Sequence, residues 1–218
     1  PSLMNRGVNL CDFPVLEANI IEKATGLPYL KPYEVIARDG VKVVVLGMIT
    51  PAVPSWLPEQ LWPGLHFEDM ETCAAKWVRT IRETEHPDVL VGLFHAGPEG
   101  NRLDNVVENA SADVAQKVPG FDVVFMGHDH ARHCRKIVNV AGDSVLIVDP
   151  ANRAGFVSDV TIRVSKKDGK VLRKSVEGTL TNVRDYPADE AFVRKFQPQY
   201  QSTIDFVSRK IGRINQTI

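Results

Sequence analysis

The chain has 218 residues and carries 26 lysines and arginines against 27 aspartates and glutamates, so its formal net charge is −1. Apolar residues make up 44% of the sequence and charged residues 24%, proportions that are ordinary for globular proteins. This composition excludes a disordered, collagen-like or coiled-coil chain. The near-zero net charge argues against binding a nucleic-acid polymer through a basic surface. The sequence also has no run of about 18 apolar residues that would predict a membrane-spanning helix.

The start of the sequence and its cysteines leave the cellular compartment open. The first residue is Pro1, and no signal-peptide pattern follows it. We therefore expect that Pro1 either follows a removed leader or is an internal residue of a longer gene product. Three cysteines, Cys11, Cys73 and Cys134, lie far apart and form neither a CxxC pair nor a disulfide framework.

The predicted elements of the first part of the chain alternate between apolar strands and amphipathic helices. Strands are predicted over residues 13–21, 33–37, 41–49, 88–94 and 121–126, and helices over residues 68–85 and 106–117. Residues 50–64 contain four prolines and are predicted to form an ordered loop. The alternation of strands and helices from residue 41 onward indicates a right-handed α/β arrangement with parallel strands.

The pattern changes after His130, where short strands joined by turn residues predict antiparallel structure. These strands are predicted over residues 135–140, 144–148, 156–164 and 171–180. Residues 190–212 then show helical spacing of apolar side chains, and Pro198 is expected to kink this helix or split it in two.

Three histidines follow two of the predicted buried strands. His95 comes directly after one strand, and His128 and His130 follow the next. Because ligands bind outside the carboxyl ends of the strands in open α/β sheets, we expect the three side chains to share one edge. The His-x-His spacing would let two imidazoles share one metal ion or bind one ion each. For His95 taken alone, the alternative to a metal ligand is a loop residue that only forms hydrogen bonds.

The remaining histidines are interpreted as structural or solvated. Residues 128–133 nearly match the metal-ligand pattern H-x-H-x-D-H. Arg132 stands at the position of the aspartate, and a cation there would repel a metal ion, so His133 is expected to be a loop residue. His66 lies in the proline-rich loop and His86 at a helix end. Two further pairs, Gly142-Asp143 and Gly100-Asn101, are interpreted as turn or loop residues.

An ordered set of short motifs along nearly the whole chain resembles one known family. The motifs are Phe13-Pro14-Val15-Leu16 with Ala18-Asn19-Ile20, Pro32-Tyr33, Gly40-Val41-Lys42-Val43, Leu46-Gly47-Met48-Ile49-Thr50-Pro51, His95-Ala96-Gly97, Glu108-Asn109-Ala110, Val118-Pro119-Gly120-Phe121-Asp122 and Gly127-His128-Asp129-His130. The set resembles the 5′-nucleotidase, UDP-sugar hydrolase and 2′,3′-cyclic phosphodiesterase branch of the calcineurin-like metallophosphoesterases.

This resemblance implies an α/β fold, namely the C-terminal half of a four-layer α/β/β/α sandwich followed by a long linker helix. It implies that residues 1–187 are part of the catalytic domain, and that residues 188–218 are the linker helix and the start of a nucleotide-binding domain. In the full-length enzyme, two divalent metal ions such as zinc or manganese would bind the phosphate, and a metal-activated hydroxide would attack phosphorus. His95 and His128 would bind one metal ion and His130 the other.

The resemblance also implies what the full-length enzyme acts on and where. The substrates would be nucleotide 5′-phosphates or related nucleotide-sugar and cyclic nucleotide esters, and the location would be periplasmic or at the cell surface. The family's D-x-H, G-D and G-N-H-[DE] ligand motifs are not found ahead of the matched region. Glu17, Asp39 and Asp129 are not placed to substitute for them. No catalytic residue is therefore assigned, and the chain alone is expected to be an inactive fragment.

Two other functions stay open at this point. Three imidazoles and a water molecule suffice for a mononuclear zinc hydrolase, with His133 or Asp129 completing the ligand set. Alternatively, the chain is a noncatalytic binding module whose histidines only form hydrogen bonds in loops.

Overall fold

A computed structural model of the protein describes residues 2–103 and 105–213, with the side chains of residues 2–4 left aside. It divides into two compact units, Pro1–Asn182 and Val183–Ile218. The helices are α1 (Ser2–Val8), α2 (Val53–Trp56), α3 (Met70–Thr84), α4 (Ser111–Lys117) and α5 (Glu190–Val207). The strands are β1 (Ile20–Glu22), β2 (Tyr33–Arg38), β3 (Val41–Ile49), β4 (Leu65–Phe67), β5 (Val89–His95), β6 (Gly100–Leu103), β7 (Val106–Asn109), β8 (Val123–Phe125), β9 (Arg132–Val138), β10 (Ser144–Pro150), β11 (Phe156–Lys167) and β12 (Lys170–Asn182). Short 3₁₀ turns cover Glu59–Leu61 and Val183–Asp185.

The first unit is built on a six-stranded mixed sheet in the order β2-β3-β5-β8-β10-β9. The four inner strands run parallel, and β2 and β9 pair antiparallel at the two edges. The inner strands β3 and β10 are rich in β-branched residues and largely buried, as expected for a sheet covered on both faces. The predicted α/β fold with parallel central strands is therefore confirmed.

Two hairpins of the first unit have turns whose sequence matches their geometry. Asp39 and Gly40 join β2 to β3 with φ angles of 49° and 74°. Asp168 and Gly169 join β11 to β12 with φ angles of 52° and 76°. Two successive residues in the left-handed region are typical of the tight turns that Asp-Gly pairs favour.

The sheet is covered by helices on one face and by the β11–β12 ribbon on the other. Buried side chains of α3 and α4 pack with one set of sheet residues, which includes Val44, Leu46 and Leu90. The alternate set, including Val91 and Val123, packs against Val160, Ile162, Val164 and Val176 of the ribbon. Successive side chains of a strand point to opposite faces, so the two cores lie on either side of one sheet. Three stacked layers result, and a fourth layer stays a prediction.

Several local predictions from the sequence were wrong. The helix expected over residues 106–117 is a strand, β7, followed by the shorter helix α4, because β7 pairs with β6. The strand expected over residues 13–21 is limited to the short β1, which pairs with β4, a strand that directly follows the loop expected over residues 50–64. Short extended segments of this kind gain their structure from a tertiary partner, which sequence periodicity does not reveal.

The second unit contains α5, which continues as one helix across Pro198. Of the two outcomes expected at this proline, a kink or a split, the split is therefore wrong. Asp189 caps the helix by accepting hydrogen bonds from the backbone N–H groups of Ala191 and Phe192 at 2.9 and 3.0 Å. Among the helices that the structure describes, none combines the length and apolar character needed to cross a membrane.

Candidate functional site

The predicted histidines meet at the carboxyl edge of the parallel strands. His95 is the last residue of β5, and His128 follows the neighbouring strand β8. The centroids of the two imidazole rings are 5.2 Å apart, and the ring planes are inclined at 68°. The expectation that His95 and His128 share one edge of the sheet is therefore confirmed.

The His128 ring is held in place by a buried carboxylate. Its Nε2 atom lies 2.8 Å from Oε1 of Glu108, which is only 8% exposed. The side-chain amide of Asn101 donates a hydrogen bond to Oε2 of the same glutamate. An ionised carboxylate only accepts hydrogen bonds, so the proton of neutral His128 is assigned to Nε2 and the lone pair to Nδ1. The indole of Trp56, with its ring centroid 5.2 Å away, lies beside the imidazole.

Glu108 is a site residue to which no role could be assigned from the sequence. It lies on β7, and its partner Asn101 lies on β6, so the short β6–β7 hairpin carries both groups to the histidines. The interpretation of Gly100-Asn101 as turn or loop and the prediction of a helix from residue 106 are therefore wrong. The Glu108-Asn109-Ala110 segment belongs to the motif set quoted for the family resemblance, which is the sequence signal that pointed to this position.

His95 is poised to be a neutral imidazole. Burial, followed by the electrostatic effect of the neighbouring His128 and His130, lowers the pKa of His95 below its usual range. Its backbone carbonyl accepts a hydrogen bond from the N–H of Thr50 at 3.0 Å, which ties the ends of β5 and β3 together. A neutral imidazole has a free lone pair at neutral pH, as a ligand to a metal ion requires.

The loop after β8 has backbone conformations that cost energy. His128 and His130 have φ angles of 84° and 61°, in the left-handed region that non-glycine residues rarely occupy. Such conformations persist only where surrounding contacts enforce them, and they cluster at functional sites. Gly97 also lies at a close approach, because a Cβ atom there would be 2.6 Å from Oδ1 of Asn109.

Asp129 supplies the contacts that hold this loop. Its Oδ1 accepts a hydrogen bond from the N–H of Ala131 at 2.9 Å, and its Oδ2 lies 3.0 Å from Nε2 of His133. Asp149, near the end of β10, is fully buried. Burial, together with the nearby Asp129, raises the pKa of Asp149. His133 is thus not a loop residue as expected but lies on β9, in register with Asp149.

The other residues weighed from the sequence lie apart from this edge or are already engaged. Asp39 lies in the β2–β3 turn, and His86 follows the end of α3. His66 lies on β4 rather than in a loop. Glu17 is buried in the segment before β1, and burial raises its pKa to about 8. No carboxylate other than Glu108 is therefore bonded to His128 among the residues that the structure describes.

These side chains do not amount to a metal site on their own. Within residues 2–103 and 105–213, no group of three or more His, Cys, Asp and Glu side chains is arranged to hold a metal ion. His95, His128 and His130 supply only neutral donors, whereas two divalent ions require carboxylates that compensate their charge. The three histidines therefore fit part of the ligand shell of two divalent metal ions, and not the whole of it.

Comparison with known proteins identifies the relatives of this chain. No protein-family model matches the sequence. The trifunctional nucleotide phosphoesterase YfkN of Bacillus subtilis is 25% identical over 229 residues, which cover 95% of this chain and 15% of that protein. The 2′,3′-cyclic-nucleotide 2′-phosphodiesterase/3′-nucleotidase of Haemophilus influenzae is 24% identical over 230 residues, which cover 92% of this chain and 34% of that protein.

A solved structure agrees with these relatives in fold. The crystal structure of the calcineurin-like phosphoesterase YfkN from Bacillus subtilis superposes with a TM-score of 0.79 at 22% identity, covering 96% of this chain and 68% of that one. The chain is therefore similar in fold to a calcineurin-like phosphoesterase. More narrowly, its relatives are 5′-nucleotidases and 2′,3′-cyclic phosphodiesterases of that family, and it matches the C-terminal part of the domain. The resemblance inferred from the sequence motifs is confirmed.

These calcineurin-like phosphoesterases are much longer than the chain described here. The chain spans 15% and 34% of the two curated relatives above. Their names describe hydrolases that act on phosphoric esters of nucleotides.

Proposed function

We propose that the chain is the histidine-bearing part of a phosphoesterase that hydrolyses nucleotide 5′-phosphates, or related nucleotide-sugar or cyclic nucleotide esters. The observation that carries this proposal is the pair of imidazoles, His95 and His128, at the carboxyl edge of adjacent parallel strands. Relatives named as 5′-nucleotidases and cyclic phosphodiesterases support the substrate class. A periplasmic or cell-surface location is part of the same proposal.

The proposed roles of the chain's own residues follow from their contacts. His95, His128 and His130 would contribute imidazole ligands to a site for divalent metal ions, which in this family would supply activated water and charge neutralisation. Glu108 would keep the Nε2–H tautomer of His128 and leave Nδ1 as the donor atom. Asp129 would hold the strained loop that carries His128 and His130.

We also propose that the 218-residue chain is inactive by itself. Its three neutral imidazoles leave the charge of two divalent ions uncompensated, and the described residues offer no third side chain in a ligand group. The remaining ligands would come from residues outside this sequence. Residues 1–187 would then be part of the catalytic domain, and residues 188–218 a linker toward a domain that selects the nucleoside.

The experiment compares the chain with the complete gene product, whatever its length. Both are purified and assayed for release of phosphate from 5′-AMP and from a 2′,3′-cyclic nucleotide, with manganese or zinc added. Hydrolysis by the complete product and none by the chain is expected. Hydrolysis by the chain with one tightly bound zinc ion would instead support a mononuclear zinc hydrolase. A complete product without metal and without hydrolysis would support a noncatalytic binding module.

A further inference from the structure

A cavity of about 440 Å³ lies at the amino edge of the sheet, at the other end of the parallel strands from the histidines. Its floor is formed where β8 and β10 begin, at Phe121, Asp122 and Leu146. Its walls come from the end of α3 and from the ribbon strand β12. The volume falls within the range of sites for small molecules.

The charges in this cavity do not balance. One ion pair is internal, because Nζ of Lys174 lies 2.6 Å from Oδ1 of Asp122. The other oxygen of Asp122 accepts a hydrogen bond from the N–H of Leu90 at 2.9 Å. The other charged side chains of the lining are the cations Arg82 and Lys136 and the anion Asp143. The lining therefore carries one excess positive charge.

The Arg82 guanidinium is fixed at the rim of the cavity. Its Nη2 donates a hydrogen bond to the carbonyl of Gly120 at 2.6 Å. A Cβ atom at Gly120 would lie 3.2 Å from that same nitrogen, so the absence of a side chain lets the guanidinium approach the backbone. A guanidinium has five N–H groups, and a single donated hydrogen bond leaves most of them available.

Lys136 is the second cation available to a ligand. It lies exposed on β9, and its ammonium group forms no hydrogen bond or ion pair with the part of the chain that the structure describes. Ser144 and Ser175 add hydroxyl groups to the lining, and Phe121 and Val176 add apolar surface. Two cations, two hydroxyls and an apolar wall match a phosphoryl group attached to an apolar body.

We propose that this cavity binds a small phosphomonoester, with the phosphoryl group between Arg82 and Lys136 and the organic part against Phe121 and Val176. This binding site is separate from the histidine edge and does not rest on the proposed function. Asp143 limits its affinity, because it is the one acidic side chain of the lining that lacks an ion pair within the described residues.

The test is a titration of the ¹⁵N-labelled 218-residue chain with phenyl phosphate and with inorganic phosphate, followed by amide chemical shifts. Shifts are expected at Gly120, Ser144 and Ser175, with phenyl phosphate binding more tightly than inorganic phosphate. Lys136→Gln should weaken phenyl phosphate binding about tenfold, since it removes a charge-assisted hydrogen bond. Asp143→Asn should strengthen binding. Lys170→Gln, an exposed lysine outside the lining, is the matched control and should change nothing.

Three results would overturn the proposal. The first is the absence of shifts at these amides up to about 10 mM phenyl phosphate, a concentration well above the dissociation constants of most specific sites. The second is shifts confined to residues 127–130, which would locate the anion at the histidine edge. The third is equal affinity of the parent chain, Lys136→Gln and Asp143→Asn, each shown to be folded by circular dichroism.

Discussion

Nε2 of His128 lies 2.8 Å from Oε1 of Glu108, although the two residues belong to different elements and are 20 positions apart in the sequence. The contact joins the loop after β8 to the β6–β7 hairpin. Because the carboxylate is buried and also bonded to Asn101, it orients the imidazole with little freedom. An imidazole that is held this way already has its free nitrogen, Nδ1, oriented for binding a metal ion.

The first prediction concerns this tautomer. Neutral His128 should carry its proton on Nε2, and ¹⁵N chemical shifts of its ring should show a protonated Nε2 and an unprotonated Nδ1. Glu108→Ala should remove this preference and destabilise the fold by about 2 kcal/mol, because it leaves Asn101 and His128 without their acceptor. Glu99→Ala, an exposed glutamate nearby in sequence, should leave the ring shifts unchanged. A His128 spectrum that is the same in both variants would contradict the assigned role of Glu108.

A second prediction concerns the strained loop after β8. Asp129→Ala should remove the acceptor for the N–H of Ala131 and the partner of His133. We expect a loss of about 1–3 kcal/mol in the free energy of unfolding, and faster hydrogen exchange at the amide of Ala131. Asp159→Ala, on the exposed side of β11, is the matched control. Unchanged exchange at Ala131 in the first variant would show that other contacts enforce the loop.

A third prediction concerns the packing of residues 16–19 on β3. A Cβ atom at Gly47 would lie 2.5 Å from both Cβ and the carbonyl oxygen of Leu16, so Gly47→Ala must displace backbone. We expect a loss of about 2–3 kcal/mol, as for overpacked cores. At Gly7 in α1 an added Cβ meets nothing within 4 Å, so Gly7→Ala should be neutral or slightly stabilising. Equal midpoints of thermal unfolding for the two variants would refute the close contact.

A fourth prediction concerns the pH dependence of stability. Burial raises the pKa of Glu17 from 4.5 to about 8, so the native state keeps a proton that the unfolded chain releases. The stability that this group contributes is fully present below pH 4.5 and is lost as the pH rises to about 8. Over that window it should lower the free energy of unfolding by at most about 1.4 kcal/mol per pH unit.

Glu17→Gln should flatten this slope between pH 5 and about 8, because its amide does not titrate. Glu83→Gln, an exposed carboxyl on α3, should keep the slope of the parent chain. Urea denaturation at several pH values measures the difference. A parent chain whose stability does not fall over this range would contradict the buried, protonated state of Glu17.

The part of the site that could be predicted from the sequence is the part that depends on strand order. His95 and His128 each follow a buried strand, and parallel strands end at the same edge, so their proximity followed from the pattern alone. Glu108 could not be predicted, because it reaches His128 only through the β6–β7 hairpin, whose four-residue strands have little periodicity. The placement of His133 on β9 likewise depends on pairing with β10, a tertiary contact.

The central claim is that the histidines at the carboxyl edge serve phosphoester hydrolysis. The most direct measurement is the rate of phosphate release from 5′-AMP by the complete gene product with a divalent cation, compared between His128→Ala and His86→Ala. His86 is an exposed histidine beyond α3 and away from this edge. We predict that His128→Ala lowers the rate at least about 100-fold, as expected for loss of a metal ligand, whereas His86→Ala keeps the parent rate. Equal rates in the two variants would contradict the account.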